Sequence, residues 1–257
     1  MRLRPLALSD APAWRELKDR NRSWLARWEA TVPPGDTGGR ITFRQMVRRL
    51  RAEALAGRML PFAIEYAEPV DGSEATERIR GRVGEHGTGY GTGHAAEHGA
   101  EHPAGDGPVG TGTGAGPAEP GRRPRRPAKP VHRLVGQLTV SSITWGSLRS
   151  ANIGYWVDEA VAGRGVTPTA VALAVDHCFG PAALHRVEVC IRPENAASLR
   201  VVHKLGFRPE GLRRAYLHID GGWRDHETFA LTAEDVPEGL LTRWHVTRSR
   251  SRAAPSG

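Results

Sequence analysis

Gly163-Arg164-Gly165-Val166-Thr167-Pro168-Thr169 follows the largely apolar run Asn152-Ile-Gly-Tyr-Trp-Val-Asp158 and precedes Ala170–Phe179. The first run reads as a strand and the last as a helix, so the glycine pair lies at a strand-to-helix turn. Two close glycines let the backbone turn tightly and approach a ligand. The helix start offers N–H groups without intrahelical acceptors, at the positive end of the helix dipole. Together these features make an anion cradle, most often for phosphate, and the chain is expected to bind a phosphorylated cofactor.

The elements around the turn follow from pattern. Leu3–Leu8 reads as a strand, and Ser9 or Asp10 caps a helix to about Asp19 with Pro12 in its first turn. Asn21–Trp28 continues as a helical piece. Thr42 caps a helix to Ala56, with Phe43, Met46, Val47 and Leu50 at helical spacing and Gly57 as its stop. Pro61–Tyr66, Arg133–Ile143 and His185–Arg192 read as strands, and in the last of these Val187, Val189 and Ile191 share one face while Glu188 and Cys190 share the other. Asn195 caps a helix over Ala196–Leu205 that Gly206 ends. Strands over Arg213–Ile219 and Arg224–Leu231 flank the turn at Asp220-Gly221-Gly222. The fold class is α+β, a mixed sheet flanked by helices.

Residues 68–131 change character. They hold Gly, Pro, Ala, Thr, His and Glu with few large apolar residues, and repeat the Glu-His pair at Glu85-His86, Glu97-His98 and Glu101-His102. Such a segment buries too little apolar surface to offset the entropy of ordering it, so it reads as a disordered insertion. Its histidines (His86, His94, His98, His102) lack a rigid ligand spacing, and no metal is expected. Strands on both sides place the insertion in a hairpin loop of one domain, residues 1–67 and 132–236, with a basic tail over 237–257. The net charge of +8 sits mostly in Arg122–Lys129 and in Arg243, Arg248, Arg250 and Arg252. It belongs to a loop and an end, and leaves the folded part close to neutral. Cys178 and Cys190 suggest no disulfide framework. Met1-Arg-Leu-Arg-Pro-Leu6 lacks the apolar core of a signal peptide, and no run approaches the ~20 apolar residues of a membrane helix. The expected location is the cytoplasm, with no membrane contact.

Taken with the cradle, Arg192-Pro-Glu-Asn-Ala-Ala-Ser-Leu-Arg-Val-Val-His-Lys-Leu-Gly-Phe207 resembles the GNAT N-acetyltransferases. Asn21-Arg-Ser-Trp-Leu-Ala-Arg-Trp-Glu29, the Asn-x-x-Ser with Lys-Leu-Gly-Phe, and Asp220-Gly-Gly-Trp-Arg-Asp225 are similar to the Rim-type enzymes that acetylate ribosomal-protein N-termini. The resemblance spans about residues 1–67 and 132–235. It implies a GNAT fold, a mostly antiparallel twisted sheet splayed at the cofactor site, with acetyl-CoA as acetyl donor. The family's cofactor signature falls on Ala162–Thr167, with Ala162, Thr167 and Pro168 departing from the usual pattern.

The resemblance also assigns roles. Val157 and its neighbours would pair by backbone with the pantetheine arm. Gly163, Arg164, Gly165, Val166, Thr167 and Thr169 would hold the pyrophosphate, with Arg164 adding a charge-assisted contact. Asn195 and Ser198 lie three apart on one helix and so share a face. Ser198 would protonate the departing thiolate, and Asn195 would cap the helix and position the cofactor; packing alone is the alternative for Ser198. Val202 stands where some relatives carry a tyrosine. Glu188 is the base candidate, acting through water, against a structural carboxylate paired with Arg186 or Arg192. Trp28, Glu29, Tyr216 and His218 would line the acceptor side, with Glu29 attracting a cationic N-terminus. The implied acceptor is the N-terminal amine of a protein. A small amine substrate and a non-catalytic CoA- or RNA-binding module stay open as alternatives, with the basic segments as a ribosome or RNA contact. Monomer and homodimer are equally compatible with the sequence.

Overall fold

The computed structural model describes residues 1–35, 41–67 and 131–253, with side chains through Arg250. The histidines of the insertion and the basic run Arg122–Lys129 lie outside the described residues. In chain order the elements are β1 (Arg2–Pro5), α1 (Ala11–Arg20), α2 (Arg22–Ala26), α3 (Phe43–Leu55), β2 (Leu60–Ala67), β3 (His132–Thr144), β4 (Ser150–Val157) and α4 (Val166–Phe179). They continue with β5 (Arg186–Ile191), α5 (Ala196–Leu205), β6 (Arg208–Ile219), β7 (Gly222–Thr232) and α6 (Leu240–Ala253). The strands form one 7-stranded sheet in the order β1-β2-β3-β4-β5-β7-β6. Every neighbouring pair is antiparallel except β4 and β5.

Strand alternation divides the side chains between two cores. Ala63 and Leu134 pack with Leu6, Leu17, Phe43 and Val47 on the face covered by α1 and α3. Ile64, Val135, Leu138 and Val140 pack on the opposite face with α4, α5 and α6. Val135 and Leu138 share that face despite their odd spacing, because the β2–β3 register shifts between Ile64 and Glu65 and leaves Val135 as the extra residue. The ends of β2 and β3 pair at Ala67 and His132, so the strands flanking residues 68–130 are adjacent antiparallel neighbours.

Local chemistry sets the helix ends. Thr42 Oγ1 accepts from Gln45 N at 3.2 Å while Gln45 Oε1 accepts from Thr42 N at 2.8 Å, a reciprocal cap that starts α3. Asn195 Oδ1 accepts from Ser198 N at 3.1 Å and starts α5, and Gly206 at φ 70° ends it. Asp10 precedes α1 but makes no cap bond to that helix; its carboxylate accepts from Ala7 N and from Arg4 instead. β1 stops at Pro5, short of the Leu8 expected, and Leu8–Asp10 forms a 3-10 turn. β6 begins at Arg208, well before Arg213, because bulges between Pro209 and Gly211 and between Arg213 and Leu217 erase the alternation that marks a strand in sequence.

The segment read as a basic tail forms α6. Its sequence is dominated by exposed charge, but Leu240 is 0% exposed and Trp244 6%, one helical turn apart on one face. Asp176 of α4 accepts from Leu240 N at 2.6 Å and Leu241 N at 3.1 Å, which satisfies two of the N–H groups that open the helix. Trp244 Nε1 donates to Thr169 Oγ1 at 2.9 Å, and Arg243 donates to the carbonyls of Leu205 and of Asp235, the latter at 3.2 Å. The helix is thus docked against both α4 and α5.

Candidate active site

The site starts where β4 and β5 part. They pair only at Ser150–Arg186, Ala151–Val187 and Asn152–Glu188. Beyond that point Ile153–Val157 keep their pairing with β3, and Val189–Ile191 keep theirs with β7, so a wedge opens between two parallel strands. The edge of β4 facing the wedge, Val157 included, has no strand partner there and is free to pair with an extended ligand. Val157 itself is buried against the core of α4.

The chain then turns through the cradle. Gly163 at φ 78° and Gly165 at φ 83° occupy the left-handed region, and Gly165 is the N-cap of α4. Nothing lies within 4 Å of where a Gly163 Cβ would stand, so this backbone faces open space. The helix begins at Val166 rather than Ala170, because Pro168 fits the first turn, where a missing N–H costs no helical bond. The N–H groups of Val166 and Thr167 have no intrahelical acceptor. Ala162, Gly163 and Arg164 form an exposed rim. Thr169, expected among the phosphate ligands, is committed elsewhere: its hydroxyl donates to Gly165 O at 2.8 Å and accepts from Trp244.

A buried knot fixes the turn. Asp158, 1% exposed, accepts from Asn21 Nδ2 at 3.0 Å, from Ala160 N at 3.4 Å and from Arg20, while Asn21 Oδ1 accepts from Glu159 N at 2.9 Å. Burial pushes the Asp158 carboxyl up, but Arg20, Asn21 and the Ala160 N–H more than offset it and hold it below the usual aspartate range. Asp158→Ala is expected to cost about 2–3 kcal/mol, because it leaves the buried Asn21 amide without its partner and removes the buried end of the Arg20 pair, though Arg20 keeps Glu16. Arg20 is 44% exposed and keeps part of its hydration, which holds the cost below that of a fully buried pair. The penalty is present at neutral pH and fades as pH falls below about 4, where the unfolded aspartate takes a proton. Urea unfolding at pH 7 and at low pH checks this; a loss under about 0.5 kcal/mol at pH 7 would show that the knot does not hold the turn.

On the α4–α5 face of the wedge, Tyr155 and Ser198 meet. Tyr155 shares its strand face with Ala151, Ile153 and Val157, all packed under the helices. Its hydroxyl is buried and, among the described residues, is the only buried side-chain polar atom without a hydrogen-bond partner. Burial pushes the phenol up to about 12, and the Ser198 side chain is the one polar group acting against that rise. The two hydroxyls are neighbours that stop short of hydrogen-bond geometry. Sequence reasoning placed no tyrosine here, since it looked along α5 and found Val202; the phenol comes from β4 instead. The available signal was a lone polar tip within the core-facing set Ala151, Ile153, Tyr155, Val157.

The opposite face carries the acceptor-side candidates. Glu188 Oε1 accepts from Arg186 Nε at 2.9 Å and Oε2 accepts from Arg213 Nη2 at 2.5 Å. Both oxygens are held by guanidinium groups, the arrangement of the structural carboxylate weighed against the base, with Arg213 taking the place considered for Arg192. Arg213 also donates to Tyr216 Oη at 3.2 Å, and the Tyr216 ring meets His226 at 5.4 Å. The Tyr216 hydroxyl is raised by burial and by the neighbouring Cys190, with Arg213 opposing. Cys190 Sγ lies 3.8 Å from Thr228 Oγ1 and 4.0 Å from Asn152 Oδ1. The structure therefore joins Glu188 and Tyr216 through Arg213, a residue the sequence reading did not single out.

Trp28 and Glu29 sit elsewhere on this side. The Trp28 ring is flanked by the guanidinium groups of Arg27 and Arg192, at 5.2 and 5.4 Å. Glu29 pairs with Lys18, whose ammonium also lies 4.9 Å from the Trp156 ring centre. Burial pushes the Lys18 ammonium down to about 8. His218, read as lining the acceptor side, is buried and bonded through Nδ1 to Thr31 Oγ1 at 2.7 Å. Cys178 is fully buried, and burial pushes its thiol up to about 12, in keeping with a core residue.

Known proteins share this fold. The acetyltransferase (GNAT) domain family matches residues 125–208. The solved structure of Mycobacterium smegmatis RimJ in complex with CoA-disulfide superposes with a TM-score of 0.65 at 30% identity, covering 96% of this chain and 88% of that one. The chain belongs to the GNAT acetyltransferase family. Within it the chain groups with the Rim-type proteins: the [ribosomal protein uS5]-alanine N-acetyltransferase of Escherichia coli (strain K12) is 32% identical over 106 residues, covering 41% of this chain and 55% of that protein. The probable N-acetyltransferase YjcK of Bacillus subtilis (strain 168) is 41% identical over 103 residues, 40% of this chain and 57% of its own length. The chain thus spans just over half the length of these curated relatives.

Proposed function

We propose that the protein is an acetyl-CoA-dependent N-acetyltransferase whose acceptor is the N-terminal amine of a ribosomal protein, acting in the cytoplasm. The observation that carries this reading is the wedge between β4 and β5, bounded at one end by the Gly163–Thr167 cradle and on one face by the unsatisfied Tyr155 hydroxyl beside Ser198. Two of the relatives support it: the Escherichia coli protein is named a ribosomal-protein alanine N-acetyltransferase, and RimJ was solved in complex with CoA-disulfide. No helix among the described residues is long and apolar enough to cross a membrane.

Acetyl-CoA bound there would supply an activated thioester. The wedge edge of β4 would take the extended arm by backbone pairing, and the N–H groups of Val166 and Thr167 would face the diphosphate. Ser198 would give its proton to the departing thiolate, with Tyr155 behind it as a second hydroxyl. Asn195 caps α5, which carries Ser198, and so sets the height of that hydroxyl. With both Glu188 oxygens held by arginines, the acceptor would enter as the neutral fraction of an amine titrating near 8.

The test uses labelled acetyl-CoA with N-terminal peptides of ribosomal proteins alongside polyamines and other small amines. The expected result is transfer to one or a few peptides with kcat/KM at least about tenfold above any small amine. Preference for a small amine would overturn the acceptor assignment. Absence of CoA binding at millimolar concentration would overturn the enzyme reading itself.

A further inference from the structure

We propose that Arg248, carried by the C-terminal helix α6, is a ligand of the CoA diphosphate, so that α6 closes the cofactor cradle. The inference rests on the acetyltransferase reading and adds a residue that lies far from the family's cofactor turn in sequence.

The geometry comes from two antiparallel helices. Trp244 Nε1 bonds to Thr169 Oγ1, one turn into α4. Moving one turn along α6 reaches Arg248, and moving one turn back along α4 reaches Gly165, the N-cap. The guanidinium indeed lies over that glycine: a Cβ on Gly165 would stand 3.4 Å from Arg248 Cζ and Nη1 and 3.7 Å from Nη2. Arg248 therefore sits at the mouth of the cradle, half-buried, and no carboxylate among the described residues pairs with it. Its carrier is held in register by Asp176 at the start of α6, by Trp244 in the middle and by Arg243 on the Leu205 carbonyl.

The cradle also needs such a group. Pro168 removes one N–H from the first turn of α4, and the Thr169 hydroxyl is spent on Gly165 O and Trp244. Of the N–H groups that open α4, those of Val166 and Thr167 remain, and beside the Gly163–Gly165 backbone they offer only partial charges to a doubly charged diphosphate. A guanidinium fork presents several N–H donors and a full charge in a shape that matches phosphate oxygens. A larger side chain at position 165 would push this fork away, which gives Gly165 a second reason to be glycine beyond its φ of 83°.

The experiment is calorimetric binding of CoA, dephospho-CoA and pantetheine to the full-length protein, comparing wild type with Arg248→Ala, Arg248→Lys and the exposed control Arg250→Ala. Arg248→Ala is expected to weaken CoA about ten- to hundredfold and dephospho-CoA by the same factor, with pantetheine unchanged. Arg248→Lys is expected to recover part of the loss, and the salt dependence of CoA binding is expected to flatten in Arg248→Ala. Equal losses in Arg250→Ala would mean a diffuse charge effect and overturn the proposal. A loss seen with CoA but not dephospho-CoA would move the contact to the 3′-phosphate and overturn the diphosphate assignment. Wild-type protein that binds CoA with Arg248→Ala unchanged sinks this proposal alone; wild-type protein that binds no CoA sinks the acetyltransferase reading with it.

Discussion

Tyr155→Phe is expected to leave the protein as stable as wild type or slightly more stable, and to lower kcat about tenfold; Ser198→Ala is expected to lower kcat about a hundredfold. The opposed signs are the point. A buried hydroxyl with no hydrogen-bond partner is a net cost to the folded state, so removing it relieves a desolvation penalty. A group kept at such a cost beside Ser198, on the strand edge where β4 and β5 part, fits a partner that arrives with the substrate. CoA affinity is expected to change by less than about twofold in either variant, since neither hydroxyl meets the phosphates in this scheme. The double variant is expected to lose little more than Ser198→Ala alone, as residues acting in one proton path are not additive. The phenol, pushed up to about 12, keeps its proton through pH 10, so the rate is expected to rise with acceptor deprotonation and then hold level. Stopped-flow release of CoA thiol from pH 6 to 10, with thermal melts of each variant, reads all of this. A Tyr155→Phe protein that melts lower and turns over normally would return Tyr155 to packing.

How much of this was legible in the chain depended on range. The Thr42 cap, the Asn195 cap with its Gly206 stop, and the alternation of Val187, Val189 and Ile191 are governed by residues within four positions, and they form as read. The Gly163–Gly165 turn is local as well, and its positive φ values match the reason given for two glycines. The misreadings arise where a distant element decides. For Glu188 the sequence offers Arg186 or Arg192 as a partner; Arg186 pairs with it, and the second guanidinium is that of Arg213, reaching it from β6. Thr169 looked like a phosphate ligand until Trp244, seventy-five positions away, took its hydroxyl. Charge counting hid α6, because Leu240 and Trp244 are the buried apolar residues among its arginines and its remaining ties, to Asp176, Thr169 and the Leu205 carbonyl, come from distant elements. Tyr155 alternates onto one face of β4 with Ala151, Ile153 and Val157, but nothing in the strand says which helix faces it.

Gly136→Ala is expected to remove the folded state, with loss of more than about 4 kcal/mol, while Gly154→Ala is expected to stay within about 1 kcal/mol of wild type. Both glycines lie in central strands of the same β3–β4 pair, and composition does not separate them. Their surroundings do. A Cβ on Gly136 would stand 2.3 Å from the Trp156 carbonyl oxygen and 2.9 Å from the Val157 Cα, both backbone atoms of the neighbouring strand that cannot swing aside. Gly136 also lies next to the Ile64–Glu65 register shift, where β3 twists toward β4 to admit Val135 as the extra residue. Relief would require β4 to move away, which breaks the Gly136–Val157 and Gln137–Trp156 pairing that supports the wedge and the Asp158 knot. A Cβ on Gly154 meets nothing within 4 Å, because it points into open space on the face opposite Tyr155. Its cost is limited to what alanine changes in the unfolded chain and the strand, which is small. If that open space takes the acceptor, as proposed for this face, Gly154→Ala should keep CoA affinity and raise KM for the acceptor by several-fold. Circular dichroism and urea midpoints separate the two variants. Soluble, cooperatively folding Gly136→Ala protein would show that β3 and β4 can part without loss of the sheet, and would remove the rigid wedge on which the catalytic assignments stand.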